Sequence, residues 1–297
     1  MTEVRDVYSR ITDKIVADLD KGVRPWMRPW SADNTAGRIA RPLRHSGIPY
    51  KGINVLMLWS ASVASGYGSP TWLTFKQALE LGGNVRKGER GELVVFASTF
   101  RRAETNDKGE EAERDIPFLK GYTVFNVDQC EGLPAQYTTK PEAPALPPAD
   151  RIERADQFFA ATGATIRHGG NRAYYAHGSD HVQMPPFESL RDTESHAATL
   201  AHELIHWTKH EKRLARDFGR IKFGDEGYAR EELVAELGSA FLCADLDIAP
   251  EIRDDHASYI ASWLKALKGD KRLIFSAAAR SQTSSSRSSR PTSAAAR

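Results

Sequence analysis

Leu200-Ala-His-Glu-Leu-Ile-His-Trp-Thr-Lys-His210 is the stretch from which the rest of the chain is read. His202 and His206 stand four apart, so on a helix both imidazoles leave one face a turn apart. That spacing suits two nitrogen ligands of a tetrahedral metal ion. Glu203 follows the first histidine at the offset from which a carboxylate reaches a metal's water without ligating the metal. Ala197, Ala198, Leu200, Ala201, Leu204 and Ile205 surround the pair with residues a helix accepts, and neither Gly nor Pro interrupts them. So short a pattern also arises by chance on ordinary helices. Acidic residues at a suitable distance downstream are what turn it into a metal site.

Those acids come from one later helix. Leu233, Leu237, Ala240 and Phe241 recur at i, i+4, i+7 and i+8 and predict its buried face, with a start near Tyr228. Glu231 is about 200° around from Leu233, so solvent is its expected place. Glu232 and Glu236 flank the buried face one turn apart, and small Ala235 and Ser239 let the helix come close to the metal. Glu232 is therefore the expected third ligand beside His202 and His206. Glu236 is expected to orient a ligand histidine from behind, or to ligate in the reverse assignment. Glu203 is the expected general base, and Tyr228 and His210 are candidates to steady an oxyanion. Zn2+ is the expected ion, with another divalent metal as the alternative.

Short strands are predicted at 164–167, 172–175 and 181–184, ahead of the motif helix. Strands, then His-Glu-x-x-His, then a helix carrying an acid is the order of a zincin metallopeptidase of the gluzincin-like kind. His181–Met184 is expected to be its edge strand and to hold a peptide by strand addition. Imidazole ligands argue against a nuclease, whose sites are usually built from clustered carboxylates.

At 297 residues, with 40% hydrophobic and 27% charged residues, the chain is long enough for two globular domains. No apolar run reaches bilayer length, so no membrane partner is expected. The N-terminus carries Asp6, Asp13 and Asp18 without an apolar signal core, and Cys130 and Cys243 lack C-x-x-C spacing. Both features fit a reduced cytoplasmic protein. Charge is partitioned: 21–102 hold thirteen Lys/Arg against four Asp/Glu, whereas 151–276 come out three negative. Two partners of different chemistry are implied. The expected organisation is α+β in two domains, at 1–131 and 151–275. A proline-rich linker spans 132–150, and 276–297 form a disordered Ser/Ala/Arg tail.

In the first domain helices are predicted at 4–20, 54–64 and 75–81, and strands at 92–100 and 118–127. An acidic, flexible loop at 104–115 is expected between the strands. Aromatic and basic residues interleave through Arg24, Trp26, Arg28, Trp30, Arg41, Arg44, Tyr50, Lys51, Tyr67, Trp72, Arg86, Lys87 and Arg90. Two readings fit: a cationic groove with stacking platforms for single-stranded nucleic acid, or core indoles beneath a solvated charged face. Trp59, on an apolar helix, reads as core.

Longer motifs carry a resemblance. Gly22-Val-Arg-Pro-Trp26 with Arg28-Pro-Trp30, Tyr50-Lys-Gly-Ile-Asn-Val-Leu-Met-Leu-Trp59 and Trp72-Leu-Thr-Phe-Lys-Gln-Ala-Leu79 resemble the plasmid antirestriction ArdC family. So do Val85-Arg-Lys-Gly-Glu-Arg-Gly91 and Tyr122-Thr-Val-Phe-Asn-Val-Asp-Gln129, and in the rear half His202-Glu-Leu-Ile-His-Trp207 and Glu231-Glu-Leu-Val-Ala-Glu-Leu237. The resemblance spans roughly 4–275. It implies an N-terminal domain that binds single-stranded DNA and a C-terminal zincin-like metallopeptidase domain. The implied role is shielding plasmid DNA from host restriction during conjugation. Single-stranded DNA is the expected partner, and a host protein such as a restriction component is a candidate peptidase substrate that the sequence does not name. Trp26, Arg28 and Trp30, then Arg44, Lys51 and Arg86, are the expected DNA contacts. The alternative is a purely protective binding protein whose metal domain is structural or an interaction module.

Overall fold

Ile11, Ile15 and Leu19 repeat every four residues, and they form the buried stripe of α1 (Val7–Asp20), which Asp6 caps through the Tyr8 N–H. The structure, a computed structural model, describes residues 6–24, 26–27, 40–105, 111–138, 148–219, 225–250 and 256–288. Helix α2 (Ile53–Ser65) is apolar nearly all round and correspondingly buried. It stops at Gly66, whose φ of 69° lets its N–H return to the Ser62 carbonyl.

Strands β1 (Leu43–Arg44), β2 (Thr71–Leu73), β4 (Glu92–Thr105) and β5 (Glu111–Asn126) form one sheet in the order β1-β2-β5-β4. Helix α3 (Phe75–Glu80) follows β2 through a Thr74/Gln77 capping box. β4 and β5 pair antiparallel from Glu92↔Val124 out to Thr105↔Glu111. The acidic segment expected as a loop at 104–115 is therefore largely ladder, with only 106–110 outside the described residues. Composition misleads there because ladder bonds are made by the backbone, whatever the side chains. The free edge of β4 is blunted where Asn54 donates to the Val95 carbonyl and accepts from its N–H, each at 2.8 Å. A two-stranded pair, β3 (Asn84–Val85) with β6 (Cys130–Glu131), closes this half. The short helix α4 (Ala135–Thr138) falls in the expected linker.

The rear half opens with α5 (Pro148–Ala161) and a sheet ordered β7-β9-β8, comprising β7 (Thr165–His168), β8 (Tyr174–Ala176) and β9 (His181–Met184). β9 pairs parallel with β7 and antiparallel with β8. This corrects the expected edge strand, since β9 is central with both sides paired and β8 lies at an edge. Four helices follow: α6 (Thr193–Trp207), α7 (Glu226–Leu246), α8 (His256–Gly269) and α9 (Leu273–Ser288). Helix α9 overturns the disordered tail as far as Ser288. Its Ala277, Ala278, Ser281, Ser284 and Ser285 are buried, because small residues let it lie close against α7. The Ser281 hydroxyl, shared between the Val234 carbonyl at 2.9 Å and the Ala277 carbonyl at 2.7 Å, needs no water.

One hydrophobic cluster crosses from the front half to the rear. Ile15, Trp26, Leu56 and Trp59 pack in it with Leu233, Phe241, Trp263 and Ile274. Ring contacts join Trp26 to Trp263 at 6.3 Å and Trp59 to Phe241 at 5.8 Å. Arg41 fastens the boundary from its rim, placing Nε and Nη2 each 2.8 Å from the Asp245 carboxylate and its guanidinium over the Phe241 ring. A second core fills the space between the rear sheet, α5, α6 and α7 with Phe159, Val182, Leu200, Leu204 and Leu242.

Candidate metal centre

Asp192 starts α6 by accepting the Ser195 N–H at 2.7 Å, and from that cap the helix runs unbroken through His202, Glu203 and His206. Helix α7 passes very close to it. A Cβ at Gly238 would lie 2.9 Å from Cγ2 of Ile205, so only glycine permits the approach. The approach brings Glu232 to the histidines: its two carboxylate oxygens lie 3.6 Å from His202 Nε2 and 3.5 Å from His206 Nε2. Among the described residues, His202, His206 and Glu232 form the group of three whose ligand atoms all lie within 4.8 Å of one another.

These separations test whether an ion fits. A tetrahedral centre with ligand bonds of about 2.0–2.2 Å holds its ligand atoms about 3.3–3.6 Å apart. Each imidazole Nε2 has a different Glu232 oxygen near that distance, and one atom from each of the three residues lies within 4.8 Å of the others, so the residues present fit a metal ion. The charge balance agrees. Burial alone would pull His206 down, but Glu232 and Glu231 prevail and push its pKa up to about 9. Glu232 is held well below the usual carboxylate range: burial opposes this, and the two imidazoles outweigh burial. The pocket is thus organised around positive charge, which a divalent ion would replace.

Glu231 is the main departure from expectation. It is 2% exposed rather than solvated, and its Oε1 lies 3.1 Å from His206 Nδ1. A carboxylate there makes Nδ1 the donor and leaves Nε2 free to face a metal. This is the orienting place assigned to Glu236, which is buried one turn beyond Glu232. The expectation failed because α7 is buried on nearly all sides, so no solvent face exists for Glu231. Sequence reading missed Arg216 altogether. Its guanidinium is buried against Glu231, with Nη2 2.7 Å from Oε1 and Nε 3.2 Å from Oε2. It also donates to Thr208 Oγ1, Ser284 Oγ and the Ile205 carbonyl, at 2.6, 2.8 and 2.8 Å.

A cavity of about 200 Å³ opens over the group, lined by Ala173, Tyr174, Tyr175, His202, Glu203, His206, Lys209, Tyr228 and Glu232. Tyr228 therefore stands at the site, whereas His210 is buried outside the lining, where its Nδ1 accepts the Lys212 N–H. The β8 wall is braced from below: Tyr175 donates to Asp180, and Arg213 grips the same carboxylate while its guanidinium covers the Trp207 ring at 3.9 Å.

Residues 153–280 match a zincin-like metallopeptidase domain, and residues 5–125 match the N-terminal domain of anti-restriction factor ArdC. The metal-free crystal structure of antirestriction protein ArdC from plasmid R388 is 46% identical, covers 95% of this chain and 96% of that one, and has a TM-score of 0.79. The chain belongs to the ArdC antirestriction family. The Mn(II)-bound crystal structure of R388 ArdC is similarly close, with a TM-score of 0.78 at 44% identity over 95% of this chain and 97% of that one. An uncharacterized protein, y4eC, of Sinorhizobium fredii is 45% identical over 93% of this chain and 89% of its own length. DNA primase TraC of Escherichia coli is 35% identical over 94% of this chain, which spans only 27% of that longer protein. A divalent metal is the ion class that the zincin-like domain calls for. Among the described residues, no helix is long and apolar enough to cross a membrane.

The DNA contacts expected in the ArdC-type N-terminal domain divide into three groups. Trp26 is 0% exposed and belongs to the core, so it cannot stack on a base. Tyr50 and Trp72 are buried with it. Arg28 and Trp30 lie outside the described residues. Arg44, Lys51 and Arg86 are exposed, with the Arg44 guanidinium over the Tyr50 ring and Arg86 bonded to Glu89 and the Asp128 carbonyl.

Proposed function

We propose that this ArdC-family chain acts in the cytoplasm, binds single-stranded DNA entering by conjugation and protects it from restriction. We further propose that its rear domain is a zinc-dependent peptidase. The observation that carries the enzymatic part is the spacing of His202, His206 and Glu232 in a cavity that also holds Glu203. Two imidazoles and one carboxylate are a donor set that zinc accepts, and manganese in a relative marks the alternative. The DNA part is supported by the family and by the excess of basic residues in 21–102.

A metal held at this site supplies Lewis acidity to a water and to a peptide carbonyl. Glu203 takes a proton from the attacking water and returns it to the leaving amine. Tyr228 donates to the oxygen on which charge develops. The free edge of β8, which lines the cavity, aligns a peptide by backbone pairing. Glu231 and Arg216 keep the His206 ring in one orientation.

Proteins of the host restriction machinery are the first substrates to examine. Recipient cells receiving wild type or Glu203→Ala are compared for cleaved host proteins and for survival of incoming plasmid DNA. Glu203→Ala should keep the metal and lose cleavage, and His206→Ala should lose both. Full protection by Glu203→Ala would separate the peptidase from antirestriction. The second reading, a rear domain that serves as scaffold for the DNA-binding half, would then stand. The core shared across the boundary is what favours that reading.

A further inference from the structure

With Trp26, Tyr50 and Trp72 inside the core, a stacking surface in the front half has to be built from other rings. Phe75 opens α3 with 52% of its surface exposed, and Leu79, one turn further, is 49% exposed. The ring of Phe125 on β5 stands 6.4 Å from that of Phe75 at 63°, holding it edge-on. The same Phe125 ring meets the backbone after the basic turn, where a Cβ at Gly91 would lie 3.0 Å from its Cε1. Phe125 thus bridges an exposed aromatic platform and the turn Arg86-Lys-Gly-Glu-Arg90.

That turn is rigid and leaves two cations unused. Arg86 is tied to Glu89 at 2.8 Å and to the Asp128 carbonyl at 2.6 Å, and Gln129 bonds both Glu89 and the Arg90 carbonyl. Lys87 and Arg90 are exposed and form no ion pair among the described residues. Two nearby acids are engaged, Glu80 with Lys76 and Glu89 with Arg86. An exposed apolar platform beside free cations on a braced turn fits a polyanion that also offers flat apolar faces. Unpaired nucleic acid has both, whereas a duplex keeps its bases stacked away.

We propose that Phe75, backed by Phe125, is a base-stacking platform for single-stranded DNA and that Lys87 and Arg90 hold the flanking phosphates. The assignment rests on the DNA-binding reading above. The test uses the full chain with three fluorescent probes: oligo-dT, an abasic strand of the same length, and a DNA hairpin duplex. Phe75→Ala should weaken oligo-dT binding at least about fivefold and leave abasic-strand binding unchanged, because only the base contact is lost. Lys87→Ala with Arg90→Ala should weaken both strands and lower the salt slope by about 0.7 for each phosphate contact removed. Both sites are on the surface, and circular dichroism checks that each variant is folded. If wild type binds oligo-dT and Phe75→Ala binds it equally well, the platform is wrong while the DNA-binding reading survives. If wild type binds no strand, both fail. A Phe75→Ala variant that loses self-association and not DNA affinity would assign the face to a second copy of the chain and overturn the proposal.

Discussion

Arg216→Met tests the buried brace behind the metal site. The substitution keeps an apolar stem of similar length but removes five hydrogen bonds: two to Glu231 and one each to Thr208, Ser284 and the Ile205 carbonyl. Glu231, 2% exposed, then keeps its negative charge without the guanidinium that offsets it. Breaking a buried pair from one side costs about 3–5 kcal/mol, a large part of the roughly 5–15 kcal/mol that holds a domain folded. Adding Glu231→Leu removes the stranded charge and should recover most of that loss. Metal affinity should not recover with it. The Nδ1 atom of His206 no longer has its carboxylate, and such losses cost about 10–100-fold in metal affinity. Urea unfolding in chelator reads the first quantity, and metal titration of the folded double variant reads the second. A single variant destabilised by less than about 1 kcal/mol would refute the buried-pair argument. Wild-type metal affinity in the double variant would refute the orienting role.

Three further outcomes follow from the same geometry. Glu232→Ala should lower metal affinity far more than Glu236→Ala in a competition titration, and equal losses would undo the ligand assignment. Trp26→Ala should destabilise by about 3–5 kcal/mol in urea and leave DNA affinity per folded molecule unchanged; the reverse pattern would return Trp26 to the binding surface. Arg213 holds the Asp180 carboxyl below its ordinary value against the opposing effect of burial, so Asp180 stabilises the fold when ionised. That contribution is complete above about pH 4 and disappears as pH falls through the depressed value. Asp180→Asn should therefore be less stable than wild type at pH 7, with the gap closing in acid, and a gap unchanged at about pH 2 would contradict it.

The pairing of His202 with His206 was legible because helix geometry sets the i, i+4 spacing. The same geometry narrowed the third group to Glu232 or Glu236, of which the close approach of α7 brings Glu232 to the imidazoles. Glu231 was misread by the same geometry. A helical wheel places a residue relative to one buried face, and α7 has helices packed around it. The charge-poor run from Leu233 to Ala244 was the available sign that the helix is enclosed. Arg216 left no sign, since it comes from the loop after α6 and no period relates it to Glu231. Trp26 sits among prolines and basic residues, where local sequence is silent about the indole's direction, and its partner Trp263 lies far along the chain. The serines of α9 misled because the measure applied was apolar bulk. What packs there is smallness, with the hydroxyls of the buried Ser281, Ser284 and Ser285 each returned to a carbonyl.

The core that runs from Trp59 to Phe241 and from Trp26 to Trp263 makes the covalent connection between the halves nearly redundant as a tether. A protease cutting within 139–147 would leave two pieces still locked together, because what binds them is interior rather than linker. Either piece made alone would show that interior to water as a broad apolar scar and be drawn into aggregates. Mixed from separate chains, the pieces should rebuild the whole in the manner of a split reporter. The metal site would then come back with them, since Ile205 on α6 and Leu233 on α7 belong to the same seam.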